Sequence, residues 1–139
     1  MAQVNSQAIT AFQEYKLKHT GSYLIYQLNG KGEISLTKCE TDRKEWEEFV
    51  NELPEDQACW AVKNFQYQTK EGGQRSKCVM IQWIPSNADK RSKMSYAMWS
   101  NTLKLSLQGI HCAMQANSQE DLQREAVLQR VARFERDEM

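Results

Sequence analysis

Proline and histidine are scarce in this chain, and long hydrophobic runs and any excess of one charge are missing. Only two prolines, Pro54 and Pro85, occur in 139 residues, and both stand at apparent element boundaries. With no internal repeat and no low-complexity stretch, nothing divides the chain, so a single domain over residues 1–139 is expected. No apolar run approaches the ~20 residues of a membrane span. The opening Met1-Ala2-Gln3-Val4-Asn5-Ser6 lacks the basic start and apolar core of a signal peptide. The 18 Lys+Arg balance 18 Asp+Glu, which disfavours a polycationic nucleic-acid coat or membrane binder and leaves room only for a local basic face. Hydrophobic residues at 40% and charged residues at 26% suit a folded core rather than disorder. A soluble, intracellular protein, not transmembrane, is the expectation.

Sites for bond-making chemistry are missing too. Cys39, Cys59, Cys78 and Cys112 stand about twenty or more residues apart with no C-x-x-C pair. Their apolar or strand-like surroundings read as reduced, small hydrophobes. A zinc site would need ligands from distant places, with only His19 and His111 to help. The His111-Cys112 pair suggests a thiol catalyst, but neighbours in a strand point to opposite faces. The turn Gly72-Gly73-Gln74-Arg75-Ser76-Lys77 is no phosphate loop, and no carboxylate pair or nucleophile elbow stands elsewhere. No metal, no cofactor and no enzymatic activity are expected. A nucleic-acid role lacks an aromatic-plus-basic sheet motif.

What is present is a regular alternation of elements. A first helix runs from about Ser6, as N-cap, to Lys18, with Ile9, Phe12 and Leu17 on its apolar face and Gly21 beyond it. Two strands, 23–28 and 34–39, flank the hairpin signal Asn29-Gly30-Lys31-Gly32. Thr41 or Asp42 caps a second helix whose Trp46, Phe49, Val50 and Leu53 fall on one stripe, and Pro54 ends it. Strands over 58–67 and 77–84 follow, the latter apolar nearly throughout as in a strand covered on both faces. A third helix spans about Lys93 to Leu107, a fifth strand Ile110 to Ala116, and Ser118-Gln119-Glu120-Asp121 opens a last helix in capping-box fashion. The expected fold is α/β (α+β), a central mixed five-stranded sheet flanked by helices on both faces.

Two helical faces exceed what such a fold needs. In the third helix Tyr96, Leu103 and Leu107 group together with Trp99 at their margin, while Met94, Met98 and Leu105 group on roughly the opposite side. Either the helix is buried on two sides, or a methionine stripe flanked by Arg91 and Lys93 is left to dock in an apolar cleft of a partner. In the last helix Val127, Leu128, Val131 and Phe134 oppose Arg130, Arg133 and Arg136. Those arginines, like Arg75 and Lys77 on the turn, read on their own as a solvated face, with a binding patch as the alternative.

These residues also form a pattern. Gln74-Arg75-Ser76-Lys77 and Ile81-Gln82-Trp83-Ile84-Pro85 lead to Arg91-Ser92-Lys93-Met94-Ser95-Tyr96-Ala97, then Leu107-Gln108-Gly109-Ile110 and Gln115-Ala116. With Phe12, Lys16-Leu17-Lys18 and Leu53-Pro54-Glu55, the chain resembles the actin-depolymerising factor/cofilin family, over essentially its whole length as one ADF-homology domain. The resemblance implies a surface for monomeric actin made of Val4, Asn5 and Ser6, of Arg91, Lys93 and Met94, and of Met98 and Asn101. It implies a second surface for the neighbouring filament subunit made of Arg75, Lys77, Gln129, Arg130 and Arg133. The implied activity is binding of monomer and filament with severing and depolymerisation, by a monomeric protein of the cytoplasmic actin cytoskeleton.

Departures from the family pattern qualify this. Met98-Trp99-Ser100-Asn101 stands where the family carries Ser-Ser-Lys-Asp, and Leu105 where cations are common. Phosphoinositide binding, attributed in the family to such cations, is therefore expected to be weakened. Gln129 replaces an acidic residue, and Ala2-Gln3-Val4 replaces the regulatory serine, so the usual phosphorylation switch is expected to be absent. The altered stretch keeps a second reading open: a filament-side binder like coactosin, or a branch-complex regulator like glia maturation factor.

Overall fold

The computed structural model describes residues 3–18 and 21–137; for Lys18 and residues 133–137 it describes the backbone alone. Ala2 and His19 lie outside the described residues, as do the side chains of Arg133, Phe134 and Arg136. The strands are β1 (Gln3–Val4), β2 (Tyr23–Leu28), β3 (Glu33–Glu40), β4 (Cys59–Gln68), β5 (Gln74–Trp83) and β6 (Cys112–Ala116). The helices are α1 (Ser6–Lys18), α2 (Trp46–Glu52), α3 (Lys90–Ser106) and α4 (Arg124–Asp137), with a 3₁₀ turn at Gln119–Leu122.

All strands join one mixed sheet in the order β1-β3-β2-β4-β5-β6, so the sheet has six strands where five were expected. The extra strand is β1. It pairs parallel to β3 through Gln3 and Val4 only, and two residues are too short to show a strand period in sequence. The hairpins β2/β3 and β4/β5 are antiparallel and β6 pairs parallel to β5, closing the other edge. The turn between β4 and β5 uses Gly72 at φ +90°, a left-handed conformation that favours glycine.

Alternation along the central strands divides the core in two. Cys59, Ala61, Phe65, Val79 and Ile81 face one layer, where α2 and α4 bring Trp46, Phe49, Val127 and Val131. Trp60, Val62, Cys78 and Met80 face the other, where α1 and α3 bring Ala8, Phe12, Tyr15, Tyr96, Leu103 and Leu107. Helices thus cover both faces, as the nearly continuous apolar run of β5 predicted.

Several element boundaries differ from expectation for tertiary reasons. Asn5, not Ser6, caps α1: its carbonyl accepts from Ala8 N–H (3.0 Å) and its Oδ1 from Gln7 N–H (2.8 Å). On that helix Leu17 is 81% exposed, so the buried face runs through Ala8, Phe12 and Tyr15 instead. Helix α2 starts at Trp46 rather than near Asp42. The Lys44 N–H donates to Ser22 Oγ (3.0 Å) and the Lys44 carbonyl accepts from buried Lys63 Nζ (3.0 Å), which holds that stretch out of a helix. Asp89 caps α3 by accepting from Ser92 N–H (2.7 Å), so the helix starts a turn earlier than expected, at Lys90. The last helix is interrupted: Gln123 is extended (ψ 145°), which lets Leu122 bury its side chain while its carbonyl accepts from Trp46 Nε1 (2.8 Å). Cys39 is exposed on β3, unlike the three buried cysteines, so the reading of all four as small hydrophobes does not suit it.

Helix α3 is one-sided. Tyr96, Leu103 and Leu107 are buried, whereas Met94 and Met98 are each 63% exposed, which overturns the reading of a helix buried on two sides. Removing the Leu103 side chain is expected to cost about 2–5 kcal/mol in urea unfolding, while Met98→Ala changes stability by less than about 0.5 kcal/mol. Equal losses for the two variants would contradict the one-sided burial.

Candidate functional site

The seat of α3 is built from its inward residues. Tyr96 lays its ring against Trp60, with centroids 4.4 Å apart, and its hydroxyl accepts from Leu28 N–H (2.9 Å). One turn on, the Ser100 hydroxyl accepts from Trp60 Nε1 (2.7 Å) and donates to Gln82 Oε1. A polar residue in a helix that covers a sheet is thereby fully satisfied, and it fixes the rotation of α3 about its own axis.

That rotation places several residues singled out in sequence on one exposed face. Met94, Met98 and Asn101 are exposed in line, and Arg91 is exposed at the start of the helix. Strand β1 lies in contact with α3, and Val4 packs on the core that α3 covers, so the N-terminal segment and this helix form one surface. Asn5 is half-buried and Ser6 exposed next to it. Lys93 is half-buried and donates to the Ser86 carbonyl (3.0 Å), tying the first turn of α3 to the preceding loop. Among the candidates for the monomer surface, the structure thus unites the N-terminal residues with Arg91, Met94, Met98 and Asn101.

The second set is more spread out. Arg75 is exposed on β5 and lines an open groove with Phe65, Tyr67, Arg124 and Leu128. Lys77 is half-buried, opposite Phe65 across the β4/β5 ladder. Arg130 donates to the carbonyl of Gln115, a residue paired with Gln82 and so five positions beyond Lys77 along β5 (82 minus 77), about 16 Å at the rise of a strand. Gln129 is exposed beside it. Helix α4 therefore crosses from the β4/β5 hairpin towards the β6 edge, presenting different residues at each end.

The residue that joins α4 to the hairpin is Arg124, which the sequence reading did not single out. Its guanidinium makes two hydrogen bonds to Glu47 (3.1 and 3.2 Å), donates to the Gln66 carbonyl (3.1 Å) and sits over the Phe65 ring at 5.6 Å. A cation in the first turn of a helix opposes the helix dipole, and that mismatch is the signal in sequence for a partner elsewhere in the fold. The hydrogen bond from Arg124 holds the Glu47 carboxyl below its usual pKa.

The thiols are unsuited to nucleophilic chemistry. Burial pushes Cys59 up to about 12 and Cys78 up to about 11, and it raises Cys112 as well, the reverse of an activated thiolate. Among the described residues no group of three or more His, Cys, Asp or Glu is placed to hold a metal ion. Among them, too, no helix is long and apolar enough to cross a membrane.

Comparison with known proteins shows the family of the chain. A family model described as cofilin/tropomyosin-type actin-binding protein matches residues 1–132. The chain belongs to the cofilin/ADF family. It is 35% identical to a cofilin of Yarrowia lipolytica over 131 residues, 94% of this chain and 86% of that one. Its structure is similar to that of a Streptomyces griseoflavus cofilin, with a TM-score of 0.85 and 29% identity over 96% of this chain and 98% of the other. A human coactosin-like protein shares the fold at a TM-score of 0.77 with 14% identity, covering 96% and 99% of the two chains. At that identity only the fold is shared, whereas cofilins match in sequence as well. This cofilin-family chain is an actin-binding protein of ADF-homology fold.

Within it the Glu47–Arg124 pair gives a pH signature. Because the folded carboxyl titrates below its unfolded value, the contribution of the pair is present above about pH 4.5 and fades as pH falls through the lowered value. Arg124→Ala is expected to flatten part of the acid-side fall in stability, measured by urea unfolding between about pH 6 and 3. An unchanged acid slope would show that the pair contributes nothing to α4 docking.

Proposed function

We propose that this protein binds both monomeric and filamentous actin and accelerates filament severing and depolymerisation. The observation that carries the proposal is the exposure of Met94 and Met98, 63% each, on a helix whose other face is committed to the sheet. A flexible, polarizable apolar stripe fits an apolar cleft, and helix-in-groove docking uses anchors at this spacing. Arg91, together with Val4, Asn5 and Ser6, would frame that contact on the monomer. Arg75 and Lys77 on the hairpin, with Gln129, Arg130 and Arg133 on α4, would engage the adjoining filament subunit.

The work of disassembly then comes from differential binding rather than from bond-making, so no catalytic residue or cofactor is assigned. A protein that bridges two subunits and prefers one filament geometry shifts the filament towards it. Phosphoinositide binding is proposed to be weak, because Ser100 faces inward onto Trp60 and Leu105 offers no charge. The setting proposed is the cytoplasmic actin cytoskeleton, with the protein acting as a monomer.

Two variants separate the surfaces. Arg91→Glu with Lys93→Glu is expected to weaken monomer binding by roughly 2 kcal/mol or more, about thirtyfold in Kd. Arg75→Ala with Lys77→Ala is expected to spare monomer affinity and reduce breaks per filament in single-filament imaging. Filaments that are decorated by the unmodified protein but neither break nor shorten would contradict the proposal and favour a coactosin-like, side-binding role. Equal loss of both activities in the Arg75/Lys77 variant would show a single inseparable surface.

A further inference from the structure

The β4/β5 hairpin outruns its neighbours. The β2/β4 ladder ends at the Tyr23–Lys63 pair, and the β5/β6 ladder begins at Val79–Cys112. The rungs from Phe65–Lys77 to Gln68–Gln74 therefore form a two-stranded ribbon, with no third strand beside it among the described residues. Such ribbons twist more strongly than wider sheets and are marginal on their own, so side chains have to set the angle of this one. At its root the Asn64 N–H donates to the Tyr15 hydroxyl (3.0 Å). Further out, Arg124 donates to the Gln66 carbonyl (3.1 Å) and lies 5.6 Å over the Phe65 ring, which stacks in turn on Tyr67 at 6.0 Å. The rest of the guanidinium is held by both carboxylate oxygens of Glu47 on α2. Because the dipole of α4 works against a cation at its first residue, these partners set where Arg124 sits.

We propose that Arg124 is a positioning residue for filament binding: braced by Glu47, it sets the angle of the ribbon against α4 and so fixes where Arg75 and Lys77 stand relative to Arg130. This rests on the proposal that the hairpin and α4 form the filament surface. The two sets of cations are anchored separately. Arg130 is tied to the β6 edge through the Gln115 carbonyl, whereas Arg75 and Lys77 ride on the ribbon rungs paired with Tyr67 and Phe65. A partner that contacts both sets loses affinity by whatever ordering is left to be done on binding, and a brace that holds the ribbon beforehand removes that loss. Helix α2, which carries none of the candidate actin residues, thereby acts on filament binding without touching the filament. The monomer surface belongs to α3 and the N-terminal segment on the other layer of the core, so its affinity is independent of the brace.

The test compares Arg124→Ala, Arg124→Lys and Glu47→Ala with the unmodified protein in filament co-sedimentation, titration of labelled actin monomer, thermal melting, and amide hydrogen exchange of the free protein. Arg124→Ala and Glu47→Ala are expected to weaken filament binding about threefold to tenfold and to leave monomer affinity within about twofold. Arg124→Lys, which keeps the charge and loses the planar fork, is expected to fall between them and the unmodified protein. Exchange is expected to quicken at residues 65–67 and 75–77 and to stay unchanged at the paired Ala61 and Ile81 deep in the sheet. Glu47→Ala is the cleaner arm, since the Glu47 side chain is 62% exposed and its removal opens no cavity. If Arg124→Ala weakens filament binding while Glu47→Ala does not, the guanidinium acts without the brace, and the inference is overturned while the filament reading stands. If neither variant alters filament binding but Arg75→Ala with Lys77→Ala does, the ribbon needs no brace and the inference fails. If monomer and filament affinities fall together with the melting temperature, Arg124 only stabilises the fold and the positioning role is overturned. If the Arg75/Lys77 variant also binds filaments as the unmodified protein does, the filament reading itself fails.

Discussion

Helix α3 is pinned to the sheet by a small polar network inside an otherwise apolar contact. Trp60 Nε1 donates to Ser100 Oγ, Ser100 bonds Gln82, and Tyr96 accepts from the Leu28 amide while its ring lies tilted against Trp60. Apolar packing alone tolerates some rotation of a helix about its axis, because burial is not directional. Hydrogen bonds are directional, and each of these part-buried bonds contributes about 0.5–1.5 kcal/mol to holding one orientation. The rotation of α3 is therefore fixed, and with it the direction in which Met94, Met98 and Leu105 point. The exposed ridge follows from how the opposite side is held.

The same logic organises the rest of the molecule. Each face of the sheet receives two helices, and each helix spends one stripe on it. Strand β1 brings Gln3 and Val4 alongside α3, and these residues are positioned by pairing with β3 and by the Asn5 cap that follows. On the far face, α4 is anchored at its start by Arg124 to α2 and β4, and further on by Arg130 to β6. The two candidate actin surfaces are thus carried by different helices on different faces of one sheet. A fold that separates them in this way suits a protein that contacts two subunits at once.

Much of this was legible in the residue pattern. The split periodicity of α3 separated Tyr96, Leu103 and Leu107 from Met94, Met98 and Leu105, and left to the structure the finding that the second group is exposed rather than covered. The nearly continuous apolar run of β5 correctly implied cover on both sides. What could not be read were features set by contacts distant in sequence. Strand β1 exists only because β3 offers an edge. Residues 42–44 stay out of α2 because Ser22 and Lys63 claim the backbone of Lys44. The break at Gln123 serves Leu122 and the Trp46 indole, 76 positions apart in sequence. Arg124 gave only a faint sign, a cation at the wrong end of a helix. Local propensity proposes the elements; partners far along the chain decide where they stop.

The central claim is that the outward side of α3 stays uncovered in the free protein and is covered by actin. It is tested most directly by methyl NMR of the protein labelled at its methionine methyl groups, with and without saturating monomeric actin. The account predicts that the Met94 and Met98 signals shift or broaden strongly, while Met80 and Met114, at 1% and 6% exposure in the core, keep their environments. Unperturbed Met94 and Met98 signals at an actin concentration that saturates binding would contradict it.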